Sequence, residues 1–192
     1  MHNRIPIFLS YPRPFNQKQE KFIFSLAGRL RSYGLEPRTL GVTDYDFEDP
    51  LLGIKELMHN CYGLCGIALR RIQVKSGVLK YPLADDRKEN IFEEQWLTSP
   101  YVQIEPAMAF QVGLPILVLR EQGVMVNGVL ESKSNTWCQL EPVDVEKEPD
   151  AFLNDPQWQK CADNWLTAVQ QNWAARTESI QPTEIKNNSI YP

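Results

Sequence analysis

The chain has 192 residues, an apolar fraction of 43% and a formal net charge of −4, which suits one globular domain with a proper core and is short for two. Its composition excludes a disordered chain, and its longest apolar runs, such as residues 113–119, are far too short to cross a bilayer. The acidic balance argues against nucleic acid as the main partner. The first ten residues lack the apolar run and small-residue cleavage site of a signal peptide, so the expectation is a cytoplasmic protein with no membrane partner.

Residues 5–11 are almost continuously apolar, the pattern of a strand buried on both faces of a parallel sheet. Pro12 and Pro14 end it, because neither can donate to a ladder. Asn16 then suits the N-cap of a helix with Phe22, Leu26 and Leu30 at helical spacing, flanked by Phe15, Ile23 and Ala27 and closed by Gly34. Residues 35–40 form a candidate second strand. An acidic loop over 41–50 follows, with Asp44, Asp46, Glu48 and Asp49. A second helix is predicted over 51–60 and a third strand over 62–69, with Arg70-Arg71 at its carboxyl end.

The polar stretch 72–96, with Gly77, Pro82 and the charge cluster from Asp85 to Asn90, is too long for an ordinary connection and reads as an insertion or lid. Ser99-Pro100 starts the next helix, since Ser caps free amides and Pro suits the first turn. Pro106 removes one hydrogen bond inside that helix and predicts a kink or restart. Gly113 ends it, and residues 115–120 form the next strand. Residues 124–130 and 136–140 read as edge strands or ordered loop. Asp155-Pro156 opens a last helix with an aromatic stripe of Trp158, Trp165, Leu166, Val169 and Trp173. That stripe is either core against the sheet or an exposed face that would make the chain a homo-oligomer. The domain is placed at 1–176, with a loose polar tail over 177–192.

Alternating strands and helices imply a parallel sheet with helices on both faces, and in such sheets ligands bind outside the carboxyl ends of the strands. That rule puts Tyr11 to Arg13, the Asp44 loop, Arg70-Arg71 and Arg120 on one rim. Arg29, Arg31 and Arg38 cluster in sequence, as solvated helix and loop faces do.

The four cysteines, Cys61, Cys65, Cys138 and Cys161, contain no CxxC pair, and His2 and His59 complete no ligand pattern. Neither a metal site nor a disulfide framework is expected, and no cofactor is required. P-loop, GxGxxG, GxSxG and HExxH motifs are absent, which excludes the common triphosphatases, dinucleotide dehydrogenases and serine hydrolases.

Glu105 is the candidate working residue. On a helix its neighbours three and four positions away are Tyr101, Val102, Met108 and Ala109, none of which pairs with a carboxylate by charge. Partial burial there would raise its pKa and suit an acid, base or nucleophile. The plain alternative is a Glu at the edge of the stripe with its carboxylate in water.

Residues 5–11 resemble the opening strand of Toll/interleukin-1 receptor (TIR) domains. With Pro12-Arg-Pro-Phe15 added, the segment also resembles the start of nucleoside 2-deoxyribosyltransferases. Residues 96–120 are similar to both again: a Ser-containing turn, an aromatic, a helical Glu, then Gly-x-Pro and a buried strand. The resemblance implies a flavodoxin-like α/β fold and chemistry at an N-glycosidic bond, with Glu105 as the catalytic carboxylate at the anomeric carbon. It implies substrate-binding roles for Ser10, Tyr11 and Arg13 in the first loop, for Trp96, Ser99 and Tyr101 beside the sugar or base, and for Arg70 at a phosphate. Three functions follow from it: an enzyme cleaving NAD or a related nucleotide as its small-molecule partner, a non-catalytic nucleotide-sensing or signalling module, and a deoxyribosyltransferase-like salvage enzyme.

Overall fold

The computed structural model describes residues 4–44, 49–80, 90–131, 137–139 and 142–178. Five parallel strands form the sheet: β1 (Ile5–Ser10), β2 (Leu35–Arg38), β3 (Leu64–Ala68), β6 (Ile116–Arg120) and β7 (Trp137–Gln139), in the order β2-β1-β3-β6-β7. Numbered among themselves, these strands run 2-1-3-4-5, the flavodoxin-type order, whose direction of winding reverses between β1 and β3. Helices α1 (Gln17–Ser32), α4 (Pro149–Leu153) and α5 (Pro156–Glu178) cover one face; α2 (Pro50–His59) and α3 (Tyr101–Gln111) cover the other. The expected α/β fold with helices on both faces is the one observed.

Strand periodicity distributes the core. Ile7 and Leu9 of β1 pack with Phe22, Leu26 and Leu30 of α1, whereas Phe8 packs with Ile54, Leu57 and Val102 on the opposite face. Ser10, two residues beyond Phe8, is therefore directed to the α2/α3 side. Helix starts follow their caps: the Asn16 side chain accepts from Gln19 N at 2.8 Å, and Asp49 accepts from Leu51 N at 2.9 Å with Pro50 in the first turn. Gly34, at φ 82°, turns the chain out of α1 so that its carbonyl receives Ile5 N at 3.0 Å.

The aromatic stripe of α5 is core. Trp158 is fully buried, Trp165 donates its indole N–H to the Pro115 carbonyl at 3.1 Å, and Trp173 and Leu166 pack against the same cluster. Gly63 is required at this contact, because a Cβ there would stand 2.5 Å from Val169 Cγ2.

The stretch read as an insertion is a two-stranded antiparallel hairpin, β4 (Ile72–Leu79) with β5 (Asn90–Leu97), separate from the main sheet. Its alternation is obscured in the sequence because much of both faces is exposed. Ile72, Val78 and Ile91 all meet solvent, so polar and apolar residues are not sorted by a buried side. Pro82 and most of the Asp85 cluster lie outside the described residues, as do Asp46, Glu48 and the tail beyond 178. Residues 124–130 are loop ending in a 3₁₀ turn (Gly128–Glu131), while the predicted segment 136–140 supplies the edge strand β7.

Two expectations are corrected. Helix α3 runs through Pro106 without restarting there; the missing amide removes only the bond to the Val102 carbonyl, and Pro106 is buried. Cys161 is disulfide-bonded, whereas cysteine spacing gave no expectation of a disulfide framework. Cys61 and Cys65 are free and buried. Among the described residues no helix is long and apolar enough to cross a membrane, and no three His, Cys, Asp or Glu gather as a metal site.

Candidate active site

The sheet-facing stripe of α3 is Val102, Glu105, Pro106 and Ala109, spaced i, i+3, i+4 and i+7. Glu105 thus occupies a position that helical periodicity assigns to core, and it is 8% exposed. Opposite it, Ser10 closes β1 and is 2% exposed. The Ser10 hydroxyl donates to Glu105 Oε2. This pair lies beside the crevice between the carboxyl ends of β1 and β3, where the winding reverses and where open α/β sheets bind ligands.

Burial pushes the Glu105 carboxyl up to about 7, and the hydrogen bond from Ser10 pulls against that rise. A carboxyl in this state exchanges its proton near neutrality and carries its negative charge in a poorly solvated place. Its charge is therefore weakly screened and available to a cationic centre. In the turn into α3, Thr98 is buried with no hydrogen-bond partner for its hydroxyl among the described residues.

A second group stands at the same rim. Trp96, at the end of β5, stacks on Phe15 at 5.9 Å between centroids and 8° between planes, and the Arg70 guanidinium lies 6.0 Å from the Trp96 ring centroid. Arg70 is held from beneath by Glu121, the residue after β6 and 2% exposed. Glu121 Oε2 accepts from Arg70 N at 2.7 Å and from Gln19 Nε2 at 2.8 Å.

The remaining sequence candidates take other places. Tyr11 and Arg13 line a cavity of about 1080 Å³ between α1 and the Thr39–Thr43 turn. Tyr11 packs against the α1 side of the core, as strand alternation requires of the residue after Ser10. The Arg13 carbonyl accepts from Arg71 at 3.4 Å. Ser99 Oγ accepts from Tyr101 N at 3.3 Å, so it serves the start of α3, and Tyr101 is 42% exposed on its first turn. Burial acts to raise the Asp44 carboxyl, but its pairing with Arg38 and the hydrogen bond from Thr43 together hold it below the usual range.

Sequence reasoning missed Glu121 and Gln19. Glu121 stands in Arg120-Glu-Gln-Gly123, which reads as a solvated turn; its signal was its place directly after a parallel strand that is apolar up to its last residue, on the rim already assigned to Arg120. Gln19 falls on the α1 stripe three and four residues before Phe22 and Ile23 and is completely buried. A polar residue on such a stripe marks a buried hydrogen-bond network.

No family model matches the chain, and no curated protein sequence does. Among solved structures, it is similar to the CMP N-glycosidase BcmB of Clostridium botulinum. The identity is 14% and the TM-score 0.45, over 78% of this chain and 99% of that one. It is also similar to FerB of Paracoccus denitrificans, a flavoenzyme NAD(P)H:(acceptor) oxidoreductase, at 12% identity and a TM-score of 0.30, over 92% and 98% of the two chains. Likenesses of this size carry no argument about activity, and the chemistry of the site rests on Glu105 and its surroundings.

Proposed function

We propose that the chain is an enzyme of nucleotide N-glycosidic bonds that cleaves NAD or a related nucleotide, with Glu105 as its catalytic carboxylate. One observation carries the reading: a buried carboxyl with a pKa near 7, oriented by the Ser10 hydroxyl at the reversal point of the sheet. In the reaction the bond between base and anomeric carbon breaks and its electron pair leaves with the base. The ionised Glu105 stabilises the resulting oxocarbenium centre, or adds to it as a glycosyl ester that water then opens. Ser10 holds the carboxylate in one orientation. Arg70, over Trp96, offers its charge to a phosphate, and the Trp96–Phe15 stack offers an aromatic platform to a base.

The test is release of free base or nicotinamide from NAD, nucleoside 5′-monophosphates and deoxynucleosides by the purified chain, with Glu105→Gln alongside. Turnover that needs Glu105 supports the reading; release that survives Glu105→Gln removes Glu105 from the chemistry. Transfer of the sugar to a second base, with no net hydrolysis, would instead identify a salvage transferase.

A second reading, a nucleotide-sensing module without catalysis, is favoured by the cavity of about 1080 Å³, which lies on the α1 side of β1 rather than on the Glu105 side. Nucleotide binding with no product from any substrate, and with affinity unchanged by Glu105→Gln, is the outcome that selects it.

A further inference from the structure

Both main-chain polar groups of Arg70 are tied by side chains rather than by a strand ladder. β3 ends at Ala68. Arg70 N donates to Glu121 Oε2 at 2.7 Å, and the Arg70 carbonyl accepts from Gln19 Nε2 at 3.2 Å. The same Gln19 amide donates to Glu121 Oε2 at 2.8 Å, which closes a buried triangle of Gln19, Glu121 and the Arg70 peptide.

The side chain of Arg70 is fixed as well. Its Nε donates to the Gln122 carbonyl at 2.7 Å and lies 3.5 Å from Glu121 Oε1. A Cβ on Gly123 would stand 3.4 Å from Nε and Nη2, so the chain passes close behind the guanidinium. The two terminal nitrogens have no hydrogen-bond partner among the described residues, and the side chain keeps 27% of its surface exposed. A guanidinium held by Nε, with its two terminal nitrogens left without a protein partner among the described residues, can offer them to two oxygens of a phosphate at once. The long Nε–Oε1 separation means that Glu121 orients this fork more than it neutralises it.

We propose that Glu121, braced by Gln19, is a positioning residue that presets Arg70 as a rigid receptor for the phosphate of a nucleotide. Buried carboxylates of the ordinary structural kind stabilise a fold without selecting a ligand. This one spends its two strongest hydrogen bonds on the main chain of the receptor and on that receptor's second brace. Preorganisation of this kind raises affinity by removing the ordering of a long side chain from the binding step. The proposal rests on the nucleotide reading of the site, and its failure is separable from the failure of that reading.

Calorimetric titration of the full chain with a nucleoside 5′-monophosphate and with the matching nucleoside gives a phosphate discrimination ratio. Glu121→Gln is expected to reduce that ratio about tenfold, and Gln19→Met about threefold. Neither should reduce it further in an Arg70→Ala background, because the effect travels through Arg70. If base release is measurable, Glu121→Gln raises KM for the phosphorylated substrate more than it lowers kcat. An unchanged ratio in folded Glu121→Gln, or an equal loss in the Arg70→Ala background, overturns the proposal. Should Glu121→Gln fail to fold, the Gln19→Met and Arg70→Ala cycle decides by the same criterion. A wild-type chain that binds nucleotides with the expected ratio but never releases base would sink the enzymatic reading and leave this inference standing. One that binds no nucleotide would sink both.

Discussion

Two buried carboxyls stand at one rim of the sheet and are treated in opposite ways. Glu121 Oε2 receives a side-chain amide and a main-chain N–H, and the carboxylate stands beside a guanidinium, so its charge is supported by donors, as buried carboxylates require. Glu105 receives the Ser10 hydroxyl and sits within an otherwise apolar stripe of α3, and burial pushes it up to about 7. Networks of the first sort hold neighbouring parts still, whereas an underpartnered carboxyl beside a ligand crevice retains charge to spend on a substrate. In the proposed reaction the pair would separate support from chemistry within one site.

The largest expected effect breaks that contrast on the Glu105 side. Glu105→Gln keeps the shape and the Ser10 neighbour but removes the charge. Base release from the preferred nucleotide should fall by about 10³, the scale of losing one electrostatic stabiliser, while nucleotide affinity changes by less than about threefold. Single-turnover kinetics with calorimetry checks both. A loss of affinity matching the loss of rate would mean that Glu105 only binds.

The next effect concerns pH. The folded pKa of Glu105, about 7, lies above its unfolded value. The stability that comes from keeping its proton is therefore fully present below the unfolded pKa and is lost as pH rises through about 7. A shift of this size corresponds to roughly 3 kcal/mol. Denaturant unfolding at pH 5 and pH 8 should show wild type losing stability relative to Glu105→Gln as pH rises. Activity runs the other way: kcat/KM should climb through pH 7, because the proposed mechanism uses the ionised form. A profile that falls through pH 7 would recast Glu105 as a general acid.

Much of this was legible in the sequence because apolar periodicity reports burial directly. The order of strands and helices, the α3 stripe and the Trp158 to Trp173 stripe all follow from it. Glu105 was legible for the same reason, as a carboxylate at a core position. Glu121 was not, because its burial is imposed by Gln19 of α1 and the Arg70 peptide, which are distant in sequence. The hairpin β4–β5 escaped because a two-sided, solvent-facing ribbon sorts its residues by no buried face. The Trp96–Phe15 stack joins residues from two separate connections, and single-chain spacing carries no trace of such a meeting.

A smaller effect probes the hydroxyl. The Ser10 hydrogen bond lowers the Glu105 pKa against the effect of burial, so Ser10→Ala should move the acid limb of the rate profile to higher pH. At pH 7 this leaves less of the ionised form and an unaligned carboxylate, for a combined loss of about tenfold in kcat/KM, the equivalent of roughly 1.4 kcal/mol. A rate loss with the limb unmoved would assign Ser10 to substrate contact rather than to Glu105.

The smallest effect tests the other half of the contrast, where support and not chemistry is at stake. Gln19→Met preserves length and apolar volume on the α1 stripe while deleting the amide that donates to both Glu121 Oε2 and the Arg70 carbonyl. Two buried acceptors then lose a donor, yet Oε2 keeps Arg70 N, and the thioether fills the space with little strain. The loss is therefore expected at the lower end for an unsatisfied buried acceptor, about 1 kcal/mol in denaturant unfolding. The rate limb near pH 7 should stay where it is, since nothing around Glu105 has changed. A shifted limb in Gln19→Met would mean that the two carboxyls are electrostatically coupled, and the division between them would have to be abandoned.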